Sequence, residues 1–134
     1  MLNVASAAGL VSSPRMGAYN VSKAGVVALS ETLAAELLGT KVGVTVLCPT
    51  FFQTDIVKSG RFKDADSKTA AQKFITEGKT ADSIARAAIA SVEGGDLYCV
   101  PMLDGRMLWR VKRMLPGVFS SLMGKVARRQ MSGI

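Results

Sequence analysis

Apolar residues recur along this chain with two alternating rhythms. Between Gly17 and Leu38, Val26, Leu29, Leu33 and Leu37 follow one another at spacings of three and four, and Ala28, Ala34 and Ala35 widen the stripe. That period predicts one long amphipathic helix, and so broad an apolar face requires burial on two sides. Gly39 is placed to close it. Val42 to Leu47 alternates little and is rich in β-branched residues, as a strand buried on both faces of a parallel sheet should be. Ahead of the long helix, Asn3 to Gly9 reads as a short apolar strand running into a small-residue turn. Beyond residue 62 the pattern predicts a short amphipathic helix over Ser67–Thr76. A further helix is capped by Thr80, with Ile84, Ala88 and Ile89 facing inward, and ended by Gly94-Gly95. A last short strand over Leu97–Val100 stops at Pro101. Strand, helix, strand, helix, strand is the pattern of a parallel α/β sheet.

Candidate chemistry gathers at the start of the long helix. Tyr19 and Lys23 stand four residues apart, so they share one helix face a turn apart, and Ser6 lies thirteen residues before the tyrosine. A free phenol titrates at about 10 and is a poor proton donor at neutral pH, while a neighbouring cation favours the phenolate. A serine hydroxyl beside them is able to hold a carbonyl oxygen for the phenol to protonate. Taken alone, the tyrosine–lysine spacing is that of many solvated surface pairs, worth about 0.2 to 0.5 kcal/mol. Its setting distinguishes it.

Asn3-Val4-Ala5-Ser6-Ala7-Ala8-Gly9, followed by Gly17-Ala18-Tyr19-Asn20-Val21-Ser22-Lys23-Ala24-Gly25, closely resembles the active-site half of the short-chain dehydrogenase/reductase family. Members of that family carry a serine at the end of a strand and Tyr-x-x-x-Lys on the next helix. Cys48-Pro49-Thr50-Phe51-Phe52-Gln53-Thr54 strengthens the likeness, because Pro49 and Thr54 fall in register with the family's Pro-Gly and later threonine. Thr50 stands where the glycine is usual. The resemblance implies an α/β fold that is the C-terminal half of a Rossmann-like doubly wound parallel sheet. It implies NAD or NADP as cofactor and a small carbonyl or alcohol substrate, which the apolar loop and tail suggest is hydrophobic. Ser6, Tyr19 and Lys23 are then the catalytic residues: Tyr19 exchanges the hydroxyl proton, Lys23 holds the nicotinamide ribose and favours the phenolate, and Ser6 orients the carbonyl oxygen. Besides Tyr19 and Lys23, the cofactor would meet the loop from Pro49, which would face the nicotinamide ring, with the Phe52 backbone and the Thr54 hydroxyl contacting its carboxamide. The helix over 17–38 would pack against its copy in another subunit, which Ala24, Gly25 and Ala28 are small enough to permit.

A dinucleotide fold normally begins with a strand, a Gly-x-Gly-x-x-Gly turn and a helix holding the pyrophosphate. None of the 13 glycines here lies two residues from another. The chain therefore reads as a fragment corresponding to the second half of a family member, inactive by itself, with residues 1–104 a partial catalytic region and 105–134 an extension. A non-catalytic module docking on a full-length subunit or a membrane surface is the alternative. At 134 residues and 49% hydrophobic, the chain is able to bury one core and lies far from the composition of disorder. No apolar run approaches the roughly 18 residues that suggest a spanning helix. Cys48 and Cys99 both fall in expected strands and read as buried, reduced thiols in a cytoplasmic protein, and the absence of histidine excludes histidine-dependent triads.

Charge singles out the extension. Residues 1–104 hold ten basic and ten acidic side chains, whereas residues 105–134 hold seven basic and none acidic, so the whole net charge of +7 resides there. Apolar residues from Trp109 to Val126 intersperse the cations, and Pro116-Gly117 divides the segment into two short helices. Such a segment is expected to close an apolar substrate pocket with its cations solvated. Contact with an anionic membrane is the second reading. Nucleic acid is disfavoured, since little in the segment is suited to stacking on bases.

Overall fold

The structure, a computed structural model, describes residues 1–55, 69, 75, 76 and 78–132. Three strands, β1 (Leu2–Val4), β2 (Thr45–Leu47) and β3 (Tyr98–Cys99), form one parallel sheet in the order β1-β2-β3. Leu2 lies opposite Thr45 and Val4 opposite Leu47, and on the far side of β2 Leu47 faces Cys99. Central β2 is wholly buried, and the alternation of its side chains feeds two cores. Val46 and Cys48 turn to one face, with Ala5, Leu10, Val11, Val27 and Val100. Leu47 turns to the other, with Ile84, Ala88, Cys99 and Met102.

Helices cover both faces. A single turn, α1 (Ala8–Val11), follows β1 and ends at Ser12 in the left-handed region, where the sequence suggested only a small-residue turn. The long helix α2 spans Gly17–Glu36, and Gly39 beyond it has φ 85°. Its buried line passes through Val27 and Ser30, with Val26, Leu33 and Leu37 half-buried, so Leu29 is 55% exposed rather than part of the inward stripe. The hydroxyl of Ser30 explains the rotation. It donates to Val26 O and accepts from the Asn3 side chain, which fastens this side of α2 to β1.

On the opposite face, α3 (Ala81–Gly94) begins at Thr80, whose side chain accepts from Ser83 N–H, and ends at Gly95 with φ 74°. Ile84 and Ala88 are buried as their spacing requires; Ile89 is exposed, because a residue immediately following Ala88 is turned about 100° from it. The helix expected over Ser67–Thr76 lies largely outside the described residues.

The basic segment forms α4 (Leu103–Met114) and α5 (Pro116–Ser132), divided at Leu115-Pro116. The boundary expected at 104–105 falls inside the first turn of α4, where Gly105 is buried. These helices complete the α2 face of the sheet. Phe119 sits in the core with Leu10, Val11 and Val27, and Trp109 meets Tyr98 with ring centroids 4.8 Å apart. Lys112 Nζ donates to Leu10 O at 2.8 Å and to Ser12 Oγ at 3.2 Å, satisfying the open end of α1. Among the described residues no helix is long and apolar enough to cross a membrane.

Candidate active site

Ser6 lies just beyond the end of β1, where the ladder continues into the loops. Ala5 N–H donates to Leu47 O and Ala7 N–H to Pro49 O, so the serine turn and the Pro49 loop are joined edge to edge. Ser6 Oγ accepts a 3.2 Å hydrogen bond from Ala8 N–H. That bond uses a lone pair of the hydroxyl and leaves its hydrogen available to donate.

The turn then folds directly onto α2. A Cβ at Gly9 would stand 2.7 Å from the carbonyl carbon and oxygen of Lys23, which is closer than side chains approach backbone. Only a residue without a side chain brings Ser6's turn so near the turn of α2 that bears Lys23. On α2 the tyrosine and lysine share a face, with Lys23 Nζ 5.7 Å from the centre of the Tyr19 ring. Tyr19 is 37% exposed and Lys23 half-buried. Asn20 ties the first turn of α2 down by donating to Ser13 O at 2.7 Å.

The loop after β2 carries the remaining candidates. Pro49 is buried, while Phe52 is half-buried and Thr54 exposed. Phe52 makes an isolated parallel bridge to Lys79, and Gln53 N–H donates to Lys79 O at 2.8 Å. In such a bridge the neighbours of Phe52 face Lys79, so its own N–H and C=O point to the opposite side. Thr50, at the place where a glycine is usual, rests against α4. A Cβ on Gly105 would come within 2.8 Å of its methyl, and its hydroxyl lies 3.3 Å from Asp104 Oδ1. The threonine is accommodated because α4 has no side chain at 105.

Cys48 lies under Ser6. Burial pushes its thiol up to about 12, nearby Cys99 adds to the rise, and a hydrogen bond from the Ser6 backbone opposes it. Both cysteines are free and buried. Motif spacing singles out Ser6, Tyr19, Lys23 and the Pro49–Thr54 loop; the structure sets Ser6 and the loop beyond the ends of β1 and β2, and Tyr19 and Lys23 on α2, against whose backbone the turn after Ser6 packs. Gly9, Gly105 and Asp104 escaped it, since their role is close approach between segments distant in sequence. Trp109 is not over this site. Its partner Tyr98 donates to Glu31, twelve residues or about 18 Å along α2 from Tyr19. Among the described residues no group of three potential ligands gathers to hold a metal.

The family described as short chain dehydrogenase matches residues 1–65. A protein of Xanthobacter autotrophicus named inactive 2-(S)-hydroxypropyl-CoM dehydrogenase 2 is 36% identical over 115 residues, covering 80% of this chain and 50% of that protein. The CLA biosynthesis dehydrogenase/reductase of Lactiplantibacillus plantarum is 31% identical, covering 86% of this chain and 47% of its own length. Among solved structures, a short-chain dehydrogenase/reductase from Burkholderia phymatum, in complex with NAD, superposes with a TM-score of 0.73 at 30% identity, over 84% of this chain and 46% of that one. The chain thus spans about half the length of the relatives it matches. Likeness of sequence and likeness of fold converge on the same group, and the chain belongs to the short-chain dehydrogenase/reductase family.

Proposed function

We propose that this chain is the catalytic half of an NAD(P)-dependent oxidoreductase that interconverts a carbonyl and an alcohol. The observation that carries the reading is the Tyr19–Lys23 face, with the cation 5.7 Å from the phenol ring and the Ser6 turn packed on the backbone of Lys23. The residues present fit the nicotinamide end of a dinucleotide. Lys23 would hold the ribose, the loop from Pro49 would face the nicotinamide ring, and the outward-turned Phe52 backbone and the Thr54 hydroxyl would meet the carboxamide. The NAD bound by the Burkholderia phymatum relative supports the same assignment. When bound, such a cofactor supplies or accepts the hydride. Ser6 donates its O–H to the substrate oxygen and fixes its position. Tyr19 gives its proton to that oxygen in reduction and takes it back in oxidation, and Lys23 stabilises the phenolate that results.

No described residue provides a cradle for the pyrophosphate, so the chain by itself is expected to bind NADH and NADPH weakly and to lack turnover. The exposed side of α2, with Val21, Gly25, Ala28 and Leu29, supports a homo-oligomer built on this helix, and the two buried thiols are in keeping with a reducing, cytoplasmic setting. The test is Tyr19→Phe in an enzyme containing this segment. Turnover should fall by about 100-fold to 10,000-fold with unchanged circular dichroism. Lys23→Ala should fall as far and also weaken cofactor binding, followed by nicotinamide fluorescence. Near-normal turnover of correctly folded Tyr19→Phe would show the role to be misassigned and leave the non-catalytic docking module as the better reading.

A further inference from the structure

The inner side of the basic segment is accounted for by the core; its outer side is not. Leu103, Met107 and Met114 lie along the outside of α4, Leu115 at the corner, and Val118 and Leu122 along the outside of α5, and all six are exposed, Leu103 by 70% and Met114 by 79%. Between them stand the exposed cations Arg106, Arg110, Lys125 and Arg129. Asp104 is the last acidic residue of the chain, so nothing on these helices beyond their first turn offsets that charge.

We propose that the outer face of α4 and α5 docks flat on an anionic phospholipid surface. Apolar side chains at the level of the acyl boundary with basic ones at the phosphates is how an interfacial helix binds, and the long stems of arginine and lysine let both be satisfied together. Three observations decide between this occupant and others. A second copy would bring one uniformly cationic face against another, which like-charge repulsion opposes. A nucleic acid would want aromatic platforms, yet Trp109 and Phe119, the aromatic residues of the segment, are both turned inward against the core. A strand pairing at the open side of β1 does not compete either. Trp109 packs on Tyr98 of β3, the strand at the opposite edge from β1, whose outer side is open. The proposal stands independently of the hydride-transfer reading.

The experiment is flotation of the full chain with vesicles of phosphatidylcholine alone or with phosphatidylserine, at low and high salt. Aggregated protein stays at the bottom of the gradient. Binding should require phosphatidylserine and fade with salt, because the attraction is screened within a Debye length. The quadruple variant Arg106→Gln, Arg110→Gln, Lys125→Gln, Arg129→Gln should bind at least tenfold less. The triple variant Met107→Ser, Met114→Ser, Val118→Ser should bind several-fold less at unchanged charge. Trp109, the chain's single tryptophan, reports the orientation. Its emission should be unmoved by vesicles if the outer face docks. A blue shift would mean that the helices peel off and insert their inner face, and would overturn the proposal. So would absence of flotation by protein shown dispersed in a control without vesicles, equal flotation on neutral vesicles, or retention by the quadruple variant. Self-association lost in the triple variant, without vesicle binding, would make the face a subunit interface instead.

Discussion

A methyl group at Gly9 would lie 2.7 Å from the Lys23 carbonyl and 2.9 Å from Ala24 N, and neither neighbour is a flexible side chain that could swing away. Gly9→Ala is therefore expected to cost about 1–3 kcal/mol, the range for forced overpacking, read as a shift of the urea midpoint. In an active enzyme it should lower kcat, since it pries the Ser6 turn from the helix that carries Tyr19. Cys48 gives a pH dependence. In the unfolded chain its thiol loses its proton near its ordinary value of 9.0, and in the folded chain only at about 12. Its contribution to stability is thus whole below pH 9 and is lost as pH climbs from 9 towards 12. Tyr98 acts in the same sense, pushed up to about 12 by burial and by the Glu31 carboxylate that accepts its hydrogen bond. Urea midpoints should fall between pH 8.5 and 10, about the region where the free thiol ionises, and the fall should be shallower in Cys48→Ala. At this scale the candidate residues are legible because the proposed chemistry needs particular side chains at a particular spacing. Gly9 and Gly105 are not, since a missing side chain acquires meaning only from what it lies against.

The elements best foreseen are those with chemical punctuation. Thr80 and Gly95 bound α3, and Pro116 parts α4 from α5, as local backbone preferences require. α1 escaped notice because one turn made of Ala8, Gly9, Leu10 and Val11 is too short for any period to register. The inward side of α2 is not legible at Leu29 because apolar residues ring much of that helix; a hydrogen bond from Asn3 to Ser30, a polar pair between distant elements, fixes its rotation. The tail's helices were legible but not their docking, which depends on Phe119 and Trp109 finding the α2 face. Phe119→Ala should cost about 3–5 kcal/mol and loosen α5 from the core. Trypsin would then cut after Lys125 and Arg129 faster than in the parent chain, while circular dichroism from the other helices persists. Unchanged cleavage would mean that Phe119 does not hold the segment.

Across the whole molecule, coverage of the sheet is uneven. β3 is packed by α3 and, through Tyr98 and Trp109, touched by α4, and β2 is buried on both sides, but Leu2 and Val4 of β1 are exposed, and alternation turns their backbone N–H and C=O away from β2. An open strand of this kind templates pairing with other chains. The purified chain is therefore expected to associate, and light scattering showing a compact, cooperatively melting monomer would count against it. Amide hydrogen exchange should display the same gradient, fast at Leu2 and Val4 and slow at Val46 and Leu47. That gradient has a bearing on chemistry. Ser6 hangs from the least protected strand, whereas Tyr19 and Lys23 belong to a helix anchored on the core. In the proposed reaction, substrate oxygen and proton donor would thus be held by parts of different rigidity, and a strand pairing at the edge of β1 would sharpen the aim of the serine without touching it. Assembly of the sheet would then act as a licence for turnover, visible as slowed exchange at Val4 rising in step with activity.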